Sequence, residues 1–252
     1  MTHRDAVSDQ ELEQTSQRLG ETAHPREVIG WALNRFAPER RVVVTGLQAE
    51  GVAAADMAIA LDPGVRVLTI DTGRLPEETY AYLDSLRAHW GRNIEIIHPD
   101  RADLDRFSGE HGANPFRASV ELRVECCHVR KVAPLERALR DVDCWITGLR
   151  QGQSAARSSA THIQRDARHS GVVKLNPLAT WSGEEVHSYL RDHRVPEHPL
   201  YALGYRSIGC APCTRPVAAG EHARAGRWWW EDGVDKECGI HATPRSVSDR
   251  VG

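Results

Sequence analysis

Two pairs of cysteines set the tightest limit on how this chain can fold. Cys126 and Cys127 are adjacent, inside a run that reads as helix, and Cys210-Ala211-Pro212-Cys213 supplies a second pair far downstream. Four thiolates meeting at one centre would close a long loop and bring that helix against an irregular C-terminal region. Adjacent cysteines suit the knuckle geometry of structural zinc poorly, since zinc knuckles usually space their cysteines two residues apart. A four-iron cube accepts them more readily, because each thiolate binds a different iron. A cluster, zinc, a disulfide and free thiols are the readings open at this level. Cys127 and Lys131 are four residues apart, so on a helix the ammonium lies on the cysteine's face.

The 252 residues are 40% hydrophobic and 27% charged, with a net charge of −3 and no basic block. That is the profile of a soluble α/β enzyme and not of a nucleic-acid-binding surface. No apolar run is long enough to span a membrane, and Met1 to Glu13 lacks the apolar core of a signal peptide. Six cysteines without an export signal point to thiol or metal chemistry in the cytoplasm.

The order of elements argues for a doubly wound, mostly parallel sheet with an irregular C-terminal tail. Helices are expected after Ser8, where Ser8 to Glu11 has a capping-box pattern, and from Pro25 to about Phe36. Strands are expected at Arg41–Thr45, Val65–Ile70, Asn93–His98, Cys144–Leu149 and Val172–Leu178. Asp100–Ala118 reads as loop and short helix. Val120–Arg140 reads as one helix, broken or kinked at Pro134. Cys144, alone in an apolar run, reads as a buried structural thiol. The chain divides into 1–39, an N-terminal helical segment; 40–200, the α/β domain; and 201–252, the C-terminal region.

Three stretches suggest a site. The turn from Thr45 through Gly46, Leu47 and Gln48 to Gly51 joins a strand to a helix N-terminus, a possible anion cradle or a plain connection. Asp71, Thr72 and Gly73 end the second strand, where open α/β sheets bind ligands. Arg150, Gln153 and Arg157 lie in a polar loop after the fourth strand, suited to phosphate or sulfate oxygens or simply solvated. Cys238, between Lys236 and His241, is either a thiol of lowered pKa or a spare one.

Several motifs in order resemble the assimilatory adenylyl-sulfate reductases. They are Ile70-Asp71-Thr72-Gly73-Arg74-Leu75, Cys126-Cys127-His128-Val129-Arg130-Lys131-Val132 and Trp145-Ile146-Thr147-Gly148-Leu149-Arg150. Asn176-Pro177-Leu178, Gly204 through Cys210 and Cys213 to Thr214, Gly226 to Glu231, and Lys236-Glu237-Cys238-Gly239-Ile240-His241 complete the match. The resemblance implies the iron–sulfur branch of the adenylyl-sulfate and phosphoadenylyl-sulfate reductase family. Its fold is that of the adenine nucleotide alpha hydrolases and N-type ATP pyrophosphatases. It implies a [4Fe–4S] cluster on Cys126, Cys127, Cys210 and Cys213, with 40–200 as the nucleotide-binding reductase domain. Cys238 would attack the sulfur of adenylyl sulfate and release AMP, leaving an S-sulfocysteine that thioredoxin reduces to sulfite for cysteine biosynthesis.

Lys131 and His241 would act beside Cys238. Thr45, Gly46, Leu47, Gln48, Gly51, Asp71, Thr72, Gly73, Gly148, Arg150, Gln153, Arg157, Arg224 and Arg227 would hold the substrate. The family further implies a dimer or tetramer, and neither nucleic acid nor membrane as partner. The sequence departs from the family at the turn, where Gly51 stands in place of a possible acid, and at His187, where a tryptophan is common. The alternatives are a phosphoadenylyl-sulfate reductase, or a non-redox nucleotide-binding protein of the ATP pyrophosphatase type with a structural metal site.

Overall fold

The computed structural model describes residues 7–231. Helices α1 (Asp9–Leu19) and α2 (Pro25–Arg35) open the chain, followed by β1 (Arg41–Val44), α3 (Ala49–Leu61), β2 (Val67–Ile70), α4 (Glu77–Trp90) and β3 (Glu95–Ile97). Next come α5 (Arg101–His111), α6 (Val120–Cys127), a π-helical turn at His128–Val132, and α7 (Ala133–Ala138). The chain continues through β4 (Cys144–Ile146), β5 (Ile163–Asp166), β6 (Val172–Leu175) and α8 (Gly183–Asp192), then through short 3₁₀ turns.

The six strands form one sheet in the order β3-β2-β1-β4-β6-β5. Every pairing is parallel except β5 with β6. Side chains alternate across it, as a strand's period of two requires. Val43, Val67, Ile146, Val173 and Leu175 enter a large core shared with α1, α2, α3 and α8. Val42, Leu68, Trp145 and Val172 face the other way, onto Leu135 and Leu139. Cys144 is fully buried in the larger core, and burial pushes its thiol pKa up. α3 is apolar nearly all round, with Gly51, Val52, Ala53, Ala54, Ala55, Met57 and Ala58 all buried; such a helix lies inside a core.

Three expectations need correction. Asp100–Ala118 holds a full helix, α5, capped by the Asp100 carboxylate accepting from the Ala102 and Asp103 N–H groups. Its periodicity is weak because Phe107 is its only buried residue. The edge strand β5 was not expected, since Ile163-Gln164-Arg165-Asp166 is mostly polar and pairs through its backbone to β6. The helix expected over 120–140 is three pieces. In the π turn the Ala133 N–H reaches back to the His128 carbonyl, and Pro134 falls in the first turn of α7, so the interruption expected at the proline lies in the π turn just before it. The wider turn absorbs a proline that has no N–H to give the carbonyl four residues back.

Candidate active site

The chain winds from β1 to β2 and β3 in one direction across the sheet, and from β4 to β6 in the other. The reversal between β1 and β4 opens a crevice at the carboxyl ends of the strands, where sheets of this kind take ligands. A cavity of about 210 Å³ lies there. Thr45, Gly46, Leu47, Gln48 and Gly51 line one side, and Thr72, Gly148, Gln153 and Arg157 line others. Lys131, Arg206, Arg224 and Arg227 bring positive charge to it.

The turn after β1 is heavily braced. Leu47 takes a left-handed conformation, φ 56°, and its N–H donates to Thr45 Oγ1 at 3.0 Å. The Ala49 N–H, at the start of α3, donates to the Tyr201 hydroxyl at 2.9 Å. The Ile208 N–H donates to Gln48 Oε1 at 2.9 Å. Gly148 packs so closely that a Cβ there would lie 2.3 Å from the Gly51 nitrogen. Helix α3 begins at Ala49, so Gly51 sits within its first turn instead of closing the loop. The open helix N-terminus expected from the sequence is therefore narrower, with several of its groups turned to internal bonds.

Three predicted substrate residues do not line the cavity. Asp71 accepts from the Gly73 N–H at 2.7 Å and the Tyr80 hydroxyl at 3.0 Å, so it shapes the turn after β2. Gly73 occupies that turn at φ 68°. Arg150 donates to Glu50 Oε1 at 2.9 and 3.1 Å and to the Trp181 carbonyl. It is thus a strut between the β4 loop and α3. Cys238 and His241 lie outside the described residues. Glu50, Tyr201 and Arg206 were not singled out as site residues, although Arg206 lies within the Gly204–Cys210 motif; the contacts of Glu50 and Tyr201 span 100 and 152 residues and leave no local signal.

Beside the crevice, α6 and the 3₁₀ turn at Ala211–Cys213 bring Cys126, Cys127, Cys210 and Cys213 into one apolar pocket with Phe107, Phe116 and Trp228. All four are free thiols and each is 7–8% exposed. Arg74, Arg123, Arg130, Lys131 and Arg227 also line this pocket. Lys131 and Arg227 line both it and the crevice, joining the two.

The four thiols differ in their settings. Burial pushes the Cys213 thiol up to about 12, helped by the neighbouring Cys210 and Cys127. Burial also raises Cys126, against the opposing charge of Arg130. Cys210 is held below its ordinary value: burial acts against it, but Lys131, the Thr72 hydroxyl at 3.2 Å, Arg227 and Arg130 outweigh burial.

Among the described residues, no group of three or more His, Cys, Asp or Glu side chains is drawn tightly enough to chelate a single ion. A cube asks for less convergence, since its four thiolates go to separate irons. Three buried donors beside the pocket, Arg130 Nε, Arg227 Nε and Trp228 Nε1, find no hydrogen-bond partner among the described residues. Buried donors without acceptors are costly and rare. The thiol set and these donors together fit a group rich in sulfur acceptors.

Fold and crevice define a nucleotide-type α/β protein with a four-thiol pocket attached. Residues 40–216 match the phosphoadenosine phosphosulfate reductase domain. The chain is 48% identical over 200 residues to the adenosine 5'-phosphosulfate reductase of Burkholderia cepacia, covering 77% of this chain and 80% of that one. It is 44% identical to the enzyme of the same name from Allochromatium vinosum, covering 79% and 78%. Among solved structures, phosphoadenylyl-sulfate reductase from Candida auris superposes with a TM-score of 0.70 at 26% identity, over 83% of this chain and 98% of that one. FMN adenylyltransferase from Candida glabrata shares the fold at a TM-score of 0.55 and 14% identity, over 86% and 71%. The chain belongs to the adenosine 5'-phosphosulfate and phosphoadenosine phosphosulfate reductase family. No helix among the described residues is long and apolar enough to cross a membrane.

Proposed function

We infer that this chain reduces adenylyl sulfate to sulfite and AMP in sulfate assimilation, with Cys238 as nucleophile. One observation carries the reading: Lys131 and Arg227 belong at once to the nucleotide-type crevice and to the four-thiol pocket. The relatives named adenosine 5'-phosphosulfate reductase give the substrate. The Cys238 thiolate attacks the sulfate sulfur, an S–S bond forms, and the S–O bond to the phosphate breaks. AMP leaves with that electron pair. A thioredoxin thiolate then attacks Cys238 Sγ and expels sulfite, and its second thiol resolves the mixed disulfide. The dithiol becomes a disulfide and supplies both electrons.

Displacement at a sulfate needs its oxygens' charge balanced without water, and cations at the mouth of a crevice serve that purpose. Lys131, Arg224 and Arg227 fill this role from the described residues, and His241 joins them by resemblance. Cys126, Cys127, Cys210 and Cys213 would hold a [4Fe–4S] cluster, which when bound supplies a fixed charge centre and a structural tie beside Lys131.

The test is the intact mass of anaerobically purified protein after adenylyl sulfate is added without thioredoxin. One sulfonate adduct, absent in Cys238→Ser and released as sulfite by reduced thioredoxin, is expected. No adduct on a chain that still binds iron would overturn the nucleophile. An adduct with the 3'-phosphorylated nucleotide alone would overturn the substrate.

A further inference from the structure

Strand β6, Val172-Val173-Lys174-Leu175, carries a lysine among apolar residues, and all four side chains are buried. Lys174 pairs in register with Trp145 on β4 and with Gln164 on β5, so it lies inside the sheet and not at an edge. Its Nζ is 5.0 Å from the Trp145 ring centroid, within cation–π range, and 4.0 Å from Asp166 Oδ2. His169, in the 3₁₀ turn Ala167–His169, closes the group. Its Nδ1 donates to the same Asp166 oxygen at 2.9 Å, and its ring meets the Trp145 ring edge-on at 5.4 Å. None of the four is more than 7% exposed. An ion pair buried so deeply seldom stabilises a fold more than apolar residues of the same volume would. This one backs the crevice, because Trp145 and Arg157 both line it, and Lys174 is near enough to Arg157 for the two cations to repel. The displacement itself uses none of Lys174, Asp166 and His169.

We propose that Lys174 is a positioning residue for the crevice: its ammonium, held by Asp166, keeps the Trp145 and Arg157 wall in its anion-binding form, so nucleotide binds tightly only while Lys174 carries its proton. This rests on the crevice being the nucleotide site. Without the proton the cation–π attraction is lost, the Asp166 carboxylate loses a counter-cation, and the repulsion acting on Arg157 ends. Burial disfavours the Lys174 cation, Asp166 favours it and Arg157 opposes it, which lowers its pKa to about 8. His169 shares the Asp166 carboxylate with it. As pH rises from about 7.5 to 9.5, the folded chain gives up this proton while an unfolded lysine, near 10.4, keeps it. Folding stability therefore rises over the interval. Nucleotide affinity falls over the same interval, and by reciprocity the bound nucleotide draws a proton in.

The experiment uses the full, iron-loaded chain and AMP, so that neither Cys238 nor thioredoxin takes part. The AMP phosphate, with a second pKa of about 6, is almost fully ionised throughout the interval. Calorimetric titration in buffers of different ionisation enthalpy reads affinity and proton uptake together, and urea unfolding reads stability. The parent is expected to lose about fivefold or more in affinity between pH 7.5 and 9.5, and to take up part of a proton on binding near pH 8. Lys174→Met, or Lys174→Gln where the Met variant does not fold, should bind AMP at the parent's weaker alkaline level throughout, without that uptake. Relative to the variant, the parent should gain stability as pH rises while it loses affinity; a residue with only a packing role would move both in one direction. Parent affinity that stays flat, or that falls equally in the variant, would overturn the proposal. So would affinity and stability that fall together. A parent that binds no AMP at any pH would instead withdraw the crevice as the nucleotide site.

Discussion

The crevice and the four-thiol pocket lie side by side and are built on opposite principles. In the crevice, backbone N–H groups are already met by side-chain acceptors on Thr45, Tyr201 and Gln48, and Gly148 packs closely on Gly51. In the thiol pocket, side chains do the shaping, and three buried donors find no partner among the described residues. A preformed crevice should tolerate the loss of its ligand, since its own bonds hold it. A pocket with unmet donors should depend on what fills it. Lys131 and Arg227, common to both, are the channel by which either could influence the other.

The largest expected effect divides the two regions. Cys210→Ala removes a thiol held below its ordinary pKa by the surrounding cations. Iron in the anaerobically reconstituted chain should fall from about four per chain to nearly none, with nucleotide affinity changed by less than about threefold, or 0.6 kcal/mol. Equal loss of iron and nucleotide binding would mean that the two regions form one cooperative unit. Gly148→Ala is the converse. Its Cβ would meet the Gly51 nitrogen at 2.3 Å and the Gly51 Cα at 2.7 Å, both backbone atoms that cannot swing aside. A cost of about 3 kcal/mol and a lower Tm are expected. Nucleotide binding should weaken more than iron binding. A variant that binds nucleotide normally would show that the turn after β1 is softer than its bonding suggests.

The same contrast explains what could be read from the chain alone. The parallel strands were legible because β-branched runs such as Arg41–Val44 stand between helical stretches, and period two places Val42 and Val43 in different cores. The pairing of Cys126 and Cys127 with Cys210 and Cys213 was legible because cysteine chemistry survives without knowledge of distance. The bracing was not. Tyr201 reaches Ala49 across 152 residues, and Arg150 reaches Glu50 across 100, contacts that leave no local pattern. Arg150 illustrates the limit: its sequence position at a strand end suits a phosphate, while its bonds to the Glu50 carboxylate on α3 are visible only in the fold. Strand β5 and the full length of α5 escaped because one is held by backbone pairing and the other buries a single side chain, so neither carries an apolar period.

The smallest effect tests whether the crevice owes its shape to remote packing. His198 is 2% exposed; its Nδ1 accepts from the Leu200 N–H at 3.2 Å, so Nε2 carries the proton and donates to Thr79 Oγ1 at 3.0 Å. Burial, only partly opposed by Glu78, pushes its pKa down to about 4. The folded ring stays neutral where the unfolded one, with a pKa near 6.5, takes up a proton. Stability is therefore complete above about pH 6.5 and falls as pH drops toward 4, by up to about 3 kcal/mol. His198 also caps the 3₁₀ turn Pro199–Leu203, which carries Tyr201 to the start of α3. Urea unfolding across this range should show a steeper acid loss in the parent than in His198→Gln, after allowance for the carboxylates common to both. Nucleotide affinity should hold until the pH nears 4, where the folded ring itself takes up a proton, and should weaken there in the parent alone, because that protonation disrupts the turn that holds Tyr201 against Ala49. Parallel pH profiles in the two proteins would place the crevice's rigidity within its own turn, and leave His198 a packing residue with no bearing on the site.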